Sequence, residues 1–393
     1  MRKIKMENKL RAIKSAPSKE ELAGRLEKVR NLMKKQKLDY YVSFDPVNIY
    51  YLTNFANYVH ERPFVLVIPK EGTMKFVVPL LEATHVRTRA KCDLELIEYF
   101  EFPAPEGENW YDRYHGLIEK DARVGVEPAM TLKVYDKTPG KKITTDIIDE
   151  VRLIKTDYEI GRTVHACSVI SKGHEKLLEV CRPGVPLFKV YSEVSNYMMT
   201  RILGDMPNLN PLVSKPQAYA LPPSLSHDPH NMTNIFFAME KGGPHVSGVG
   251  GQIDGYGVEL ERSFFLGTVP EKARDPYGAM MESRSKAYEL AKPGGNFSDI
   301  DAAVRKVLKE RGYVDRILHR TGHGLGITGH EGPFLALGYD RELQAGMIVS
   351  IEPGIYIPGV GGFRHSDTVL ITDEGNVRLT EAPDTLEELT ISL

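Results

Sequence analysis

The chain has 393 residues, more than one ordinary hydrophobic core accommodates, so two domains are expected. Lys and Arg number 51 and Asp and Glu number 53, which gives a formal net charge of -2. A charge this balanced exerts no global attraction on nucleic acid or on anionic membranes, and we expect neither as a partner.

The start of the chain and its interior also give no indication of secretion or of membrane insertion. No stretch approaches the roughly 20 apolar residues that span a bilayer, and residues 1–14 are basic without the apolar core of a secretory signal. The three cysteines, Cys92, Cys167 and Cys181, are too few and too widely spaced for a zinc site or a disulfide framework. We therefore expect buried free thiols and a cytoplasmic protein.

The first part of the chain predicts a small α/β domain. Ser18 and Glu21 have the spacing of a capping box ahead of an apolar stripe, which predicts a helix over residues 18–36. Alternating β-rich and helical or turn segments then indicate an α/β layer structure, which we place at residues 1–150. The predicted strands are residues 40–44, 63–69, 75–80, 94–100 and 124–127.

The helices of the second part suggest a weak internal duplication. A helical pattern over residues 143–180 is followed by Pro183 and Gly184, which stop helices because Pro cannot continue them and Gly tolerates left-handed geometry. The same Pro-Gly pair recurs at Pro293 and Gly294, beside a predicted helix over residues 298–310.

Beyond Tyr313 the pattern changes to strands. Apolar alternation punctuated by Gly and Pro, as at residues 346–354 and 368–372, predicts antiparallel strands and turns. We therefore expect an α+β domain at residues 151–393.

Two strand carboxylates in this domain are candidates for chemistry. Glu259 and Glu261 share one side of a predicted strand by their period of two, and carboxylates with apolar neighbours often line a cleft. A solvated outer face is the alternative. His319 and His323 have the spacing of a helical zinc pair, but the glycines beside His323 argue against a helix there.

Many motifs agree with one known family. They are Arg152-Leu-Ile-Lys155 with Glu159, the two Pro-Gly turns, Gly255-Tyr256, Gly322-His-Gly324, His330-Glu331 with Pro333, Ile351-Glu-Pro-Gly354, and Gly362-Phe-Arg364 with Asp367-Thr368. In order and spacing this set resembles the pita-bread hydrolases, which include creatinase, prolidase, aminopeptidase P and methionine aminopeptidase. The resemblance implies a C-terminal pita-bread domain and, more loosely, a creatinase-type N-terminal domain.

The metal ligands of the family are only partly present. The resemblance implies Asp, Asp, His, Glu and Glu around two divalent ions, and the matching positions here are Gly248, Glu259, His323, Glu352 and Ser366. Glycine offers no ligand atom and a serine hydroxyl is a poor bridge, so a dinuclear centre is not expected. We expect no metal cofactor, with one ion (Zn, Mn or Co) at Glu259, His323 and Glu352 as the alternative.

Creatinase is the family member that works without metal, and the resemblance implies roles for several residues. His230 matches its catalytic histidine, give or take one inserted residue, and His227, three residues earlier, is the alternative. Glu261 and Glu352 match the glutamates that hold the guanidinium, and Arg62 matches an arginine that reaches a carboxylate across a dimer. A homodimer is therefore expected.

Three further pocket residues carry implied roles. His323 matches another pocket histidine of creatinase, while His330 and Arg364 lie where the peptidases steer protons and substrate. The catalytic candidates are thus His230, His323 and His330, and the substrate-binding candidates are Glu261, Glu352, Arg62 and Arg364. The sequence departs from creatinase at Ser366 and lacks an arginine after Gly332, which puts creatine itself in doubt.

The leading expectation is a metal-independent hydrolase of a C–N bond in a small amino-acid-derived substrate. The first alternative is an Xaa-Pro dipeptidase or aminopeptidase that uses one metal ion or an unorthodox pair. The second is a pita-bread pseudoenzyme that serves as a binding module. Charged groups collected in one cleft favour an enzyme over a scaffold.

Overall fold

The structure is a computed structural model that describes residues 10–231 and 236–393. The chain forms two compact units. The first unit is Ser15–Arg152, and the second is Leu153–Leu393 together with the N-terminal segment that ends at Lys14. Ile13 N donates to Gly161 O over 2.9 Å, which ties this N-terminal segment to the second unit rather than to the first.

The first unit is built on a six-stranded sheet. Its strands are β1 (Tyr40–Ser43), β2 (Val65–Pro69), β3 (Met74–Pro79), β4 (Leu94–Tyr99), β5 (Arg123–Val126) and β6 (Lys141–Thr144). The order is β4-β3-β2-β1-β5-β6, in which β2 runs antiparallel to both neighbours and the other pairs are parallel. Its helices are Lys19–Gln36, Pro46–Thr53, Ala83–Arg89, Trp110–His115, Leu132–Lys137 and Ile147–Arg152.

The local signals in this unit act as expected. The Ser18 hydroxyl accepts a hydrogen bond from Glu21 N at the start of the first helix, as the N-cap motif predicts. All five predicted strands are confirmed to within two residues. Their Val side chains are buried, since the sheet packs against helices.

The helical pattern predicted over residues 143–180 is interrupted at residues 143–146 and 153–156. Residues 141–144 form β6 because they pair with β5, and a short helix follows before Asp157–Val180 begins. Thr156 caps this long helix, and Glu159 completes a capping box with it. That motif marks a new helix start that the apolar periodicity had concealed.

The second unit combines long helices with a nine-stranded sheet. Its helices are Asp157–Val180, Leu187–Asp205, Pro223–Ser226, Glu271–Leu290 and Phe297–Glu310. Its strands are β7 (Lys215–Leu221), β8 (Gly242–Ile253), β9 (Tyr256–Leu266), β10 (Gly322–Gly324), β11 (Glu331–Leu335), β12 (Ile348–Ile351), β13 (Gly354–Ile357), β14 (Gly361–Arg364), β15 (Ser366–Thr372), β16 (Gly375–Arg378) and β17 (Thr390–Ile391).

The sheet order is β11-β10-β12-β15-β9-β8-β7, with β16 on β15, β17 on β9, and β13 and β14 forming a separate pair. Two apolar clusters hold helices to this sheet. One joins the helices Asp157–Val180 and Leu187–Asp205 to β8 and β9, and the other joins Glu271–Leu290 and Phe297–Glu310 to β12 and β15. The two helix pairs fit the internal duplication expected from the Pro-Gly turns.

No helix within the described residues has the length and apolar character needed to cross a membrane.

Candidate active site

Strand pairing brings four distant residues into one row. Tyr219 on β7 lies opposite Gly248 on β8, which lies opposite Glu261 on β9, which in turn lies opposite Ser366 on β15. Directly opposed residues point to the same face of a sheet, and so does Glu259, two residues before Glu261. This face is the floor of a cleft.

The cleft has a volume of about 830 Å³. Its wall is completed by the loop before β10, by the loop after it and by the end of β12. The charged, aromatic and imidazole side chains that line it are Tyr219, His230, Glu259, Glu261, His319, Arg320, His323, His330, Glu352 and Arg364.

His323 lies at the centre of one side of the cleft. Its Nδ1 donates to the Gly324 carbonyl over 3.1 Å, which fixes the tautomer and leaves Nε2 facing the cleft. Nε2 lies 3.4 Å from Glu259 Oε2 and 3.2 Å from Glu352 Oε1, yet it is buried without a well-aligned hydrogen bond. A buried imidazole nitrogen that faces two carboxylates is a position where a divalent cation could replace a proton.

The charges of this group are strongly coupled. Burial favours a neutral His323, but the carboxylates of Glu259 and Glu352 outweigh it and raise the pKa of His323 to about 10. Burial and repulsion from Glu259 raise the pKa of Glu352 to about 7. Burial opposes ionisation of Glu259 as well, but His323 and the Ser366 hydroxyl keep its pKa below the usual value. Positive charge therefore stabilises the group formed by Glu259, His323 and Glu352.

His330 completes a compact set of ligand atoms. Its ring stacks on the His323 ring, with centroids 3.8 Å apart and planes at 21°. Glu259, His323 and His330 each offer one donor atom, and these atoms lie within 4.8 Å of one another. Two imidazoles and a carboxylate form a recognised set for catalytic zinc, so these residues fit one divalent ion.

The other side of the cleft is closed by hydrogen bonds. Arg364 Nη2 donates to Glu261 Oε1 over 2.6 Å, and Arg364 Nε lies 2.5 Å from Oε2, although the alignment there is poor for a hydrogen bond. The Tyr219 hydroxyl donates to the same Oε1 over 2.6 Å. Because both oxygens of Glu261 are engaged, this carboxylate is not free for a substrate cation in the way that the creatinase resemblance implies.

A hydrogen-bonded relay extends from Arg364. Its Nη1 donates to the Tyr356 hydroxyl over 2.9 Å, and that hydroxyl lies 2.7 Å from His319 Nε2. His319 Nδ1 lies 2.8 Å from the Arg320 carbonyl, so Nδ1 carries the proton and Nε2 accepts from Tyr356. Burial, with the charge of Arg364 adding to it, lowers the pKa of His319 to about 4 and keeps the ring neutral.

A second metal ion does not fit the described residues. A Cβ built on Gly248 would come within 2.2 Å of Tyr219 Cζ, so the Tyr219 ring occupies the space that a ligand at position 248 would need. At the other replaced position, the Ser366 hydroxyl donates to Glu259 Oε1 over 2.6 Å and so supports a ligand instead of being one.

The structure brings most of the predicted site residues together. His230 lies exposed at the edge of the cleft, whereas His227 is not among the residues that line it. His323, His330, Glu261, Glu352 and Arg364 all line the cleft. Arg62 belongs to the first unit, where it binds Glu101 through Nε over 2.6 Å and Nη2 over 3.1 Å and contacts Glu61 over 2.6 Å.

Sequence reasoning missed the cleft residues Tyr219, His319 and Arg320. It also missed Tyr356, which bonds His319. For His319 the sequence offers only the spacing of a helical zinc pair, against which the glycines beside His323 argue. No motif marked Tyr219, because its importance depends on strand pairing with Gly248. Only the pairing register could have revealed it.

A histidine nitrogen that faces carboxylates in an open cleft is the arrangement of a metal-assisted hydrolytic site. The sequence model of Metallopeptidase family M24 matches residues 162–373, and that of the Creatinase/Prolidase N-terminal domain matches residues 25–154. The chain belongs to Metallopeptidase family M24, and it is a hydrolase of C–N bonds. The pita-bread family and the two-part fold expected from the sequence are confirmed.

Known relatives span nearly the whole chain. The Xaa-Pro dipeptidase of Pyrococcus furiosus is 29% identical over 363 residues, which cover 91% of this chain and 97% of that protein. The crystal structure of the prolidase from Pyrococcus horikoshii OT3 matches with a TM-score of 0.80 at 26% identity, over 92% of this chain and 99% of that one. The prolidase from Pyrococcus furiosus matches with a TM-score of 0.76 at 27% identity, over 90% of this chain and 100% of that one.

The expectation of no metal cofactor is wrong, since the family of this chain is one of metallopeptidases. The metal-independent, creatinase-like hydrolase is likewise not supported, and the peptidase alternative fits the relatives better. The error came from treating the loss of two carboxylates as the loss of the whole centre. Gly248 and Ser366 remove ligands, but the compact set of Glu259, His323 and His330 remains.

Proposed function

We propose that the chain is a dipeptidase of the Xaa-Pro type that works with a single divalent ion held by Glu259, His323 and His330. The observation that carries this proposal is the convergence of these three donor groups beside a position, Gly248, whose ligand space is filled by Tyr219. The relatives named Xaa-Pro dipeptidase or prolidase support the substrate class.

The bound ion would polarise the scissile carbonyl and make a water molecule more acidic. Glu352 Oε1, 3.2 Å from His323 Nε2, lies where it accepts the proton of the attacking water. His230 at the edge of the cleft is suited to deliver a proton to the leaving amine. Arg364 and Tyr219 hold Glu261 in place, so their contribution is to keep the cleft floor rigid.

The test combines metal analysis with a substrate screen. The purified protein is stripped with chelator, reloaded separately with Zn, Mn or Co, and assayed on Xaa-Pro dipeptides, other dipeptides and creatine. We expect about one ion per chain, loss of Xaa-Pro hydrolysis on stripping and recovery on reloading. Two ions per chain at full activity would overturn the single-ion site, and hydrolysis of creatine without dipeptide hydrolysis would overturn the substrate class.

The assembly and the compartment are also part of the proposal. We propose a two-fold homodimer, for which the sequence match of Arg62 is the support, and a cytoplasmic location. Cys92, Cys167 and Cys181 are free thiols, which suits a reducing compartment. Light scattering after size-exclusion chromatography tests the dimer, and a monomer at assay concentration would exclude it. The balanced charge keeps nucleic acid and membranes outside the expected partners.

A further inference from the structure

Arg320 is a cleft residue to which neither the family motifs nor the proposed mechanism gives a role. It directly follows His319 and lines the cleft, half-buried. Its guanidinium carbon lies 4.5 Å from the centre of the Phe334 ring, and Phe334 lies opposite His323 in the pairing of β10 with β11. Cation–π stacking of this kind leaves the edges of the guanidinium free to donate hydrogen bonds.

The backbone of Arg320 is held on both sides. Its carbonyl accepts the hydrogen bond from His319 Nδ1, and His319 is itself fixed by the Tyr356 hydroxyl. The next residue, Thr321, donates through N to the Leu335 carbonyl. A side chain anchored in this way and stacked on an aromatic ring has already lost much of its freedom, so a ligand that binds it meets a smaller entropic cost.

The two arginines of the cleft differ in their partners. Arg364 is saturated by Glu261, whereas Arg320 forms no ion pair with any carboxylate in residues 10–231 and 236–393. The carboxylates of Glu259 and Glu352 face His323. Arg320 is therefore the cationic group of the cleft whose charge is left without a fixed counterion. A planar guanidinium in this state suits a carboxylate, which it binds through two parallel hydrogen bonds.

Arg320 also lies close to the group that we assign to the metal. It lines the same cleft as Glu259, His323 and His330, and it stacks on Phe334, which pairs with His323. Since consecutive Cα atoms are only about 3.8 Å apart, the terminal carboxylate of a dipeptide lies one residue step from its scissile bond.

We infer that Arg320 binds the free α-carboxylate of the substrate's C-terminal residue and so restricts the enzyme to dipeptides, an inference that rests on the proposed function. In a longer peptide, an uncharged amide occupies the place of that carboxylate. The guanidinium then keeps no ionic partner, and the longer substrate binds more weakly. Arg320 acts as a specificity-determining residue that binds the ground state and the transition state alike.

The kinetic test compares Ala-Pro with its C-terminal amide, Ala-Pro-NH2, in the metal-loaded wild type and in Arg320→Gln, Arg320→Lys and the control Arg316→Gln. Arg316 is exposed and does not line the cleft. We expect Arg320→Gln to raise KM for Ala-Pro by about 10- to 100-fold with little change in kcat, and to leave KM for the amide almost unchanged. Arg320→Lys should recover part of the loss, and the control should match the wild type.

A binding experiment separates this inference from the proposed function. L-proline and L-prolinamide are titrated calorimetrically into the same proteins, which requires no turnover. Proline binding that Arg320→Gln abolishes, with no binding of prolinamide to the wild type, supports the inference even if no dipeptide is cleaved. The inference is overturned if Arg320→Gln raises KM equally for Ala-Pro and its amide, or if the wild type prefers the amide, while Ala-Pro hydrolysis still supports the proposed function. If the wild type neither cleaves Ala-Pro nor binds proline, both fail.

Discussion

Glu259 and Glu261 lie two residues apart on β9 and face the same cleft, yet their surroundings differ completely. Glu261 is closed by Arg364 and Tyr219. Glu259 faces His323, whose Nε2 has no well-aligned hydrogen bond. The difference teaches that two carboxylates on the same face of one strand can serve different purposes. The side that is fully bonded gives rigidity, and the side that is left open can take a cation.

A substitution on the open side, around His323, should reduce activity more than it reduces stability. We expect His323→Ala to lose the bound ion and to lower kcat/KM for Xaa-Pro dipeptides by about two to four orders of magnitude, because it removes the central ligand. Elemental analysis and steady-state kinetics measure both effects. The exposed His115, replaced by Ala, is the control. Full metal content with normal activity in His323→Ala would show that the ion site lies elsewhere.

The closed side should show the opposite behaviour. Arg364→Gln leaves Glu261 buried without its counterion, so we expect the free energy of unfolding to fall by about 3–5 kcal/mol while the metal content stays near that of the wild type. Urea titration gives the first quantity and elemental analysis the second. The exposed pair of Lys172 and Glu175 offers a control, because Lys172→Gln should leave the free energy of unfolding nearly unchanged. Loss of the ion together with unchanged stability would reverse the comparison.

The closed side should also make the stability of the folded state sensitive to acid. His319 has its pKa lowered from 6.5 to about 4 in the folded protein, so the unfolded chain takes up this proton first as the pH falls. The folded state should therefore lose up to about 3 kcal/mol between pH 6.5 and 4 through this group. His319→Gln should lack this part of the loss. Unfolding curves of both proteins across that pH range measure the difference, and parallel pH profiles would contradict the assignment.

The smallest effect is expected from the hydroxyl that supports the open side. Ser366→Ala removes the 2.6 Å hydrogen bond to Glu259 Oε1, and we expect metal affinity to fall by about tenfold to a hundredfold. Competition with a chelating dye measures the affinity. Ser285→Ala, which removes a hydroxyl bonded only within its own helix, serves as the control. Equal affinities in Ser366→Ala and the wild type would mean that Glu259 is oriented by other contacts.

Several elements could be predicted from the sequence because their causes are local. The helix from Lys19 has its cap in Ser18, and the strands of the first unit carry continuous apolar runs. The segment from residue 143 was predicted as helix because apolar spacing alone cannot show that residues 141–144 have a neighbouring strand to pair with. Strand formation there depends on a partner that is distant in the sequence.

The sequence by itself determined the family, the two-part architecture and several of the residues that line the cleft, because motifs of Gly, Pro, His and Glu set turns and strand ends locally. Tertiary structure alone decided which carboxylate is free. Tyr219, Gly248, Glu261 and Ser366 come from four different strands, and only their pairing register places the Tyr219 ring in the space of a missing ligand and closes Glu261. Hydrogen bonds and ion pairs depend on distances of about 3 Å between atoms, and no spacing along the chain specifies such distances across a sheet.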